Sequence, residues 1–151
     1  MNDTRNRPVH ELLDLAGETV LVTGASGNIG QGIAARLAEA GANIVVHYHR
    51  NEAAAAALAS RLGGATVVRA DLASEADVDA MVAEAKPTMV VNNAAAQPVK
   101  GLAEMGYDEW RAMLAANLDG AFLVTQRAAR AWAGAGGAIV NIASIEALDP
   151  A

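Results

Sequence analysis

The feature of this sequence that most constrains its fold is a glycine-rich turn between two apolar segments. Thr19–Val22 is a short, mostly β-branched run that predicts a buried strand. After the turn Gly24–Gly30, the spacing of Ile29, Ile33 and Leu37 predicts one face of a helix. Glycines let the backbone approach an anion closely, and a helix start supplies free N–H groups and the positive end of a dipole. The segment therefore predicts a phosphate-binding turn, with an ordinary glycine-rich loop as the alternative.

Apolar runs and helical segments alternate along the rest of the chain. The predicted strands cover residues 19–22, 43–48, 65–69, 88–92 and 138–142. The predicted helices cover residues 29–40, 52–62, 74–85 and 107–132. Short, continuously apolar strands are typical of a parallel sheet that helices cover on both faces. Because right-handed crossovers are strongly preferred, we expect an α/β fold with a doubly wound parallel sheet, Rossmann-like, in the order 3-2-1-4-5.

Domain organisation is simple. Residues 1–17 form a polar lead-in, within which residues 11–15 predict a helical turn over a sheet edge. A single domain is expected over residues 18–151, because neither a repeat nor a low-complexity linker interrupts the pattern.

Composition excludes several classes of function. The chain carries 11 Lys and Arg against 17 Asp and Glu, a formal net charge of −6. Nucleic acids and anionic membranes both require clustered positive charge, so we expect neither as a partner. The sequence has no cysteine, which excludes disulfides, thiolate metal sites and cysteine nucleophiles. Since no apolar run approaches a membrane span and the first ten residues are polar, we expect a soluble, cytoplasmic protein.

The second predicted strand ends in an unusual run, residues 47–51, that bears on cofactor choice. An NAD site carries an acid at this point, which accepts from the ribose 2′-hydroxyl. The run has none, and His49 and Arg50, followed by Asn51, favour a 2′-phosphate, so NADP(H) is preferred over NAD(H). A solvated strand end is one alternative. Metal binding by His47 and His49 is another, but no third ligand is evident nearby, so no metal site is predicted.

The third and fourth predicted strands also end in polar residues, at the edge where ligands bind in this topology. Asp71 follows the third strand and is placed to accept from an adenine amino group; a carboxylate near the helix start at Ser74 is the equal alternative. Asn92 and Asn93 end the fourth strand, and buried amides require hydrogen-bond partners. We expect Asn93 and its neighbour to connect adjacent strands and the cofactor, with two turn residues as the alternative.

Two polar residues in the second half of the chain are candidates for chemistry. Asn117 lies inside a predicted helix, where Asn is a poor helix former. Its side chain is expected to bond a backbone carbonyl or a water at a local distortion, and a surface Asn is the alternative. Ser144 follows the fifth strand, where a hydroxyl can hold a substrate oxygen or simply begin a loop.

Together and in this order, the motifs resemble the short-chain dehydrogenase/reductase family over essentially the whole chain. The run 47–50 is also similar to the cofactor-binding strand end of pteridine reductases, a subgroup of that family. The resemblance implies catalytic roles for Asn117 and Ser144. It implies an NAD(P)-binding domain whose cofactor-binding residues are Gly24, Ser26, Asn28, Ile29, Gly30, His49, Arg50, Asn51, Asp71, Leu72, Asn93, Ala94 and Ala95.

The sequence departs from the family pattern at three points. Asn28 replaces the middle glycine of the turn motif, and Ala95 replaces a glycine after the fourth strand. The family's Tyr-x-x-x-Lys pair, expected after Ser144, is not among the 151 residues. The pattern from Tyr107 to Arg111 precedes Asn117, lies on the wrong helix and ends in Arg, so we reject it.

The resemblance implies NADP(H)-dependent hydride transfer with a small-molecule carbonyl or alcohol substrate. Without the tyrosine and lysine, we expect a cofactor-binding fragment that is inactive alone, with a sheet incomplete on its C-terminal side. The helix at 107–132 resembles the one that builds the family's subunit interface, so a homo-oligomer is expected for the full-length form. Burial of this helix against the sheet alone is the alternative. The alternatives are a non-catalytic NADP(H)-binding module and a methyltransferase that uses S-adenosylmethionine, which would want an acid at the end of the second strand.

Overall fold

A single parallel sheet forms the centre of the computed structural model, which describes residues 13–98 and 100–144. Its strands are β1 (Thr19–Val22), β2 (Asn43–Tyr48), β3 (Thr66–Arg69), β4 (Met89–Asn92) and β5 (Ala138–Asn141). The spatial order is β3-β2-β1-β4-β5, which confirms the predicted doubly wound sheet. In register, Val20 of β1 lies beside Ile44 of β2 and Met89 of β4. All five strands therefore end at the same edge.

The connecting helices begin at side-chain caps in two cases. The helices are α1 (Asn28–Glu39), α2 (Glu52–Arg61), α3 (Glu75–Ala85), α4 (Tyr107–Leu114) and α5 (Gly120–Trp132). Asn51 caps α2 by accepting from the Ala54 N–H at 3.1 Å. Ser74 caps α3 by accepting from the Asp77 N–H, as its position before the helix suggests. Such a cap stabilises a helix by about 1 kcal/mol.

The core consists of two aliphatic layers, one on each face of the sheet. Alternate strand residues point to opposite faces, so Leu21 and Val45 serve one layer while Val20 and Ile44 serve the other. The first layer is completed by Val78, Met81 and Val82 of α3 and Leu123, Val124 and Ala128 of α5. The second is completed by Ala34 of α1 and Ala55 and Leu58 of α2. Burying each Val or Leu contributes about 1.5–3 kcal/mol.

The segment predicted as one long helix contains an interruption. The five residues Ala115–Asp119, between α4 and α5, form a π-helical segment. The prediction of one regular helix is wrong here, whereas the distortion expected around Asn117 is confirmed. Gly120 lies where the helix passes closest to the loop after β3, since a Cβ there would be 2.8 Å from the Leu72 Cβ.

Two remaining expectations concern the lead-in and membranes. The predicted helical turn at 11–15 lies partly outside the described residues. In the described part, the Leu15 N–H donates to the Ala40 carbonyl at 2.7 Å, which ties the lead-in to the end of α1. Across the residues that the structure describes, no helix has both the length and the apolar character needed to cross a membrane.

Candidate functional site

The glycine turn is shaped by its contact with the end of β4. Gly24 has a φ of +63°, and a Cβ at this position would lie 2.8 Å from the Ala94 Cα. At Gly30, a Cβ would lie 2.4 Å from the Gly24 carbonyl oxygen and 2.8 Å from Nδ2 of Asn93. All three distances are below 3.0 Å, which real Cβ atoms essentially never show. Glycine is therefore required at both positions so that the turn, the start of α1 and the end of β4 can meet.

Thr23 links the ends of β1 and β4 through its hydroxyl. The side chain is 1% exposed, and its Oγ1 accepts from the N–H groups of Asn93 at 2.9 Å and Ala94 at 3.0 Å. The same hydroxyl donates to the Val91 carbonyl at 3.4 Å. A hydroxyl has one donor and two acceptor sites, so all of them are used. Sequence reasoning did not single out Thr23, although a threonine directly after an apolar strand was the available signal.

The two asparagines that end β4 also make inter-strand hydrogen bonds, as expected. Nδ2 of Asn93 donates to the carbonyls of Thr23 at 2.9 Å and Gly24 at 3.3 Å. Nδ2 of Asn92 donates to Oδ1 of Asn141 at 2.8 Å, on the neighbouring strand β5. These side chains hold three strand ends in fixed positions around the turn.

The start of α1 presents backbone donors. In the described part of the chain, the N–H groups of Asn28, Ile29 and Gly30 have no hydrogen-bond acceptor. Such groups at a helix N-terminus carry partial positive charge and attract anions. Ile29 itself is 67% exposed, an unusual position for an isoleucine.

A cavity of about 1030 Å³ lies over this edge of the sheet. Its wall is built from the glycine turn, the ends of β2, β3 and β4, and one face of α4. Among the predicted site residues, those that line it are Gly24, Ser26, Asn28, Ile29, Gly30, His49, Arg50, Asn51, Asp71, Asn93, Ala94 and Ala95. Binding sites of small molecules and cofactors have volumes of about 300–1,000 Å³, so an extended ligand fits this space.

Three predicted residues do not line the cavity. Leu72 is 7% exposed and packs in the core layer beneath α3, so only its backbone can reach a ligand. Asn117 is exposed and contacts Ala96, which lines the cavity. Its Oδ1 accepts from the Ala96 N–H at 2.7 Å, and its Nδ2 donates to the Ala96 carbonyl at 2.9 Å. Ser144 is exposed in the loop that follows β5.

The ends of β2 and β3 place charged groups at one side of the cavity. Nε2 of His49 and Oδ2 of Asp71 are 3.8 Å apart. Oδ1 of Asp71 accepts from the Ala73 N–H at 3.0 Å. The backbone N–H of Asp71 and the hydroxyl of Ser74 donate to the carboxylate of Asp77, and these hydrogen bonds lower the pKa of Asp77. Arg50 is exposed and has no ion-pair partner within the described residues, so its guanidinium is available to an anionic ligand.

His47 does not act as a metal ligand, because both ring nitrogens bond to backbone. Nδ1 accepts from the Gly24 N–H at 2.9 Å, and Nε2 lies 3.1 Å from the Ala70 carbonyl oxygen. No group of three or more His, Asp or Glu side chains suited to a metal occurs among residues 13–98 and 100–144.

Comparison with known sequences identifies the family of this chain. The family model for short chain dehydrogenases matches residues 18–151. A short-chain type dehydrogenase/reductase from Picea abies is 37% identical over 148 residues, which cover 86% of this chain and 55% of the relative. The chain thus spans about half the length of that curated relative.

Solved structures agree with the sequence comparison. A short-chain type dehydrogenase/reductase from Mycobacterium marinum superposes with a TM-score of 0.88 and 31% identity, covering 94% of this chain and 62% of that one. A gluconate 5-dehydrogenase from Burkholderia cenocepacia, in complex with NADP and tartrate, has a TM-score of 0.82 and 37% identity, covering 92% and 58%.

The strand order and the glycine turn at the carboxyl end of β1 define a Rossmann-like α/β domain. The family match and the relatives narrow this class further. The chain belongs to the short-chain dehydrogenase/reductase family of oxidoreductases.

Proposed function

We propose that this site binds NADP(H) and serves hydride transfer between the nicotinamide and a carbonyl or alcohol group of a small-molecule substrate. The observation that carries the proposal is the pairing of two anion-binding features around one cavity. Within residues 13–98 and 100–144, backbone N–H groups without an acceptor lie at the start of α1, and the guanidinium of Arg50, without an ion-pair partner, lies just after β2. A dinucleotide with a 2′-phosphate has anionic groups for both features.

The residues present fit this cofactor, and each has a proposed part. The N–H groups of Asn28, Ile29 and Gly30 hold the pyrophosphate, and Arg50 with His49 binds the 2′-phosphate. The remaining proposed contacts to the cofactor are Gly24, Ser26, Asn51, Asp71, Asn93, Ala94, Ala95 and the backbone of Leu72. When bound, the nicotinamide supplies the hydride chemistry, while the protein supplies position and charge. The similar gluconate 5-dehydrogenase holds NADP, which supports this choice of cofactor.

Asn117 and Ser144 are the proposed catalytic residues. Asn117 fixes both backbone groups of Ala96, which line the cavity where the loop after β4 turns away from the sheet. Ser144 follows β5 and offers a hydroxyl for a substrate oxygen. The 151 residues contain no Tyr-x-x-x-Lys acid–base pair, so a polypeptide of these residues alone should bind cofactor without ordinary turnover. Oxidation of NADPH with a panel of carbonyl compounds measures this.

The extent of the domain, the location of the protein and its oligomeric state are also proposals. Residues 18–151 constitute the NAD(P)-binding domain, and the protein is cytoplasmic. Four large apolar residues are exposed along α4, the π-helical segment and α5, which supports a homo-oligomer of the full-length form. They are Tyr107 (75% exposed), Trp110 (42%), Leu118 (63%) and Phe122 (58%).

The test of cofactor choice is a set of equilibrium titrations with NADPH, NADH and S-adenosylmethionine. We expect NADPH to bind at least ten times more tightly than NADH. Arg50→Ala should weaken NADPH binding about tenfold, since a charge-assisted hydrogen bond is worth about 1.5–3 kcal/mol when buried and less at an exposed site. Binding of NADH should change less than about twofold.

Arg36→Ala is the matched control for Arg50→Ala. Arg36 is an exposed arginine that pairs with Glu39 on α1 and does not line the cavity, so its removal should leave both affinities unchanged. Equal NADPH and NADH affinities in the wild type would contradict the preference for NADP(H). Tight binding of S-adenosylmethionine with no binding of either dinucleotide would favour the methyltransferase instead.

A further inference from the structure

His47 occupies an unusual position between two loops of the cavity. It belongs to β2, and its ring is 1% exposed on the sheet face that carries α3 and α5. Its Nδ1 accepts from the Gly24 N–H at 2.9 Å, and its own carbonyl accepts from the Ala25 N–H at 3.0 Å. A single residue of β2 therefore holds two consecutive amides at the beginning of the glycine turn.

The other side of the ring reaches the end of β3. Nε2 lies 3.1 Å from the carbonyl oxygen of Ala70, the residue before Asp71. The ring thus spans the gap between the phosphate-binding turn and the loop that carries Asp71. Both loops line the same cavity, and the ring connects them through one hydrogen bond to each.

These contacts define one tautomer. Nδ1 accepts a hydrogen bond, so it carries no proton, and Nε2 must carry the proton that it donates to Ala70. A protonated imidazole has hydrogens on both nitrogens. The Nδ1 hydrogen would then face the Gly24 N–H, and this partly buried amide would lose its acceptor.

We propose that His47 is a positioning residue for cofactor binding, and that the glycine turn keeps its phosphate-binding geometry only while the His47 ring is neutral. This inference rests on the proposed function of the turn. It assigns His47 a role that differs from direct contact with the cofactor, because its two ring nitrogens are occupied by backbone groups.

The surroundings of the ring favour the neutral form near pH 7. Burial lowers the pKa of His47 below its ordinary value of 6.5, the hydrogen bond to Ala70 opposes this, and the charge of His49 lowers the pKa further. Among the described residues, His49 is the one charged group that acts on the ring, while Arg69, Asp71 and Asp77 lie around His49. Residues 24–30 carry no ionisable side chain. The midpoint of protonation therefore lies below the ordinary value, and the turn should weaken as pH falls through the pKa of His47 in the folded protein.

Two amide variants separate the contacts of the ring. His47→Asn keeps an acceptor at the position of Nδ1 but is too short to reach Ala70. His47→Gln keeps a donor at the position of Nε2 but has no acceptor at that of Nδ1. Neither variant titrates between pH 5 and 8, and His49 is present in all three proteins, so its own protonation cancels in the comparison.

The binding experiment is a calorimetric titration of NADP⁺, which is stable in acid, into the 151-residue chain at pH 8.0, 6.5 and 5.0. At pH 8.0 we expect His47→Asn to bind NADP⁺ within about threefold of the wild-type affinity. His47→Gln should bind about tenfold more weakly, because it leaves the partly buried Gly24 amide without an acceptor. Between pH 8.0 and 5.0 the wild type should lose affinity relative to His47→Asn.

A measurement on the wild type without cofactor keeps the inference testable if a variant fails to fold. Long-range ¹H–¹⁵N spectra should show unprotonated Nδ1 and protonated Nε2 in His47 at pH 8.0, and the Gly24 amide resonance should shift as the ring titrates. Three results would overturn the inference: the opposite tautomer of His47, a Gly24 amide resonance that does not shift as His47 titrates, or NADP⁺ binding by His47→Gln as tight as that of the wild type. Loss of NADP⁺ binding in the wild type at pH 8.0, with these spectra as expected, would instead contradict the proposed function.

Discussion

Gly30 is the residue at which the site has least tolerance for change. An added Cβ would lie 2.4 Å from the Gly24 carbonyl oxygen and 2.7 Å from the Ala25 Cα, both of them backbone atoms that cannot move aside alone. We expect Gly30→Ala to lower the free energy of unfolding by about 1–3 kcal/mol, as over-packing does elsewhere. Urea denaturation of the 151-residue chain measures this.

Gly32, two residues further along α1, provides the control. A Cβ at Gly32 would meet nothing within 4 Å, and alanine is the better helix former. Gly32→Ala should therefore raise the free energy of unfolding by about 0.5–1 kcal/mol. Equal effects of the two substitutions would contradict the close packing described at Gly30.

At this scale the sequence was informative about the exposed residues and less so about the buried ones. His49, Arg50 and Asp71 line the cavity because residues directly after parallel strands meet at one edge. The role of His47 was not predictable, since it depends on backbone groups at the ends of two other strands. Leu72 was predicted to bind cofactor, but its side chain turns into the core, a direction that adjacency to Asp71 does not reveal.

At the scale of elements, β5 is the strand most exposed to other chains. Within the described residues it pairs only with β4, and Val140 and Ile142 are 52% and 43% exposed. An unpaired apolar edge strand recruits further strands. We expect the 151-residue chain to self-associate at high concentration, and Val140→Lys to reduce this, as measured by static light scattering.

Leu102→Lys is the matched substitution for Val140→Lys. Leu102 is 87% exposed in a short 3₁₀ turn away from the sheet, so the added charge is the same but no strand edge is altered. Self-association should persist in this variant. A wild-type chain that stays monomeric at high concentration, or an equal effect of both lysines, would contradict edge-strand pairing.

The five strands followed from short, continuous apolar runs and the α-helices from the segments between them, but the interruption in the last helix required more. Asn117 suggested a distortion because Asn is a poor residue for a helix interior. In the π segment, the Asn117 side chain bonds to both the N–H and the carbonyl of Ala96, 21 residues away. A local pattern cannot specify such a contact.

For the whole molecule, the strand order was predictable because few topologies satisfy both alternating elements and right-handed crossovers. The five strand ends then had to meet at one edge, which is why motifs scattered between residues 24 and 95 surround one cavity. The substrate could not be predicted in this way, because no set of described residues outside the cofactor cavity identifies it.

We propose that the sheet edge formed by the glycine turn and the ends of β2, β3 and β4 holds NADP(H). Amide chemical-shift mapping of the ¹⁵N-labelled 151-residue chain during titration with NADP⁺ tests this most directly. Saturable shifts should be concentrated at residues 24–30, 49–51, 71–73 and 93–96. Saturable binding whose shifts lie elsewhere, or no shifts at millimolar NADP⁺, would contradict the claim.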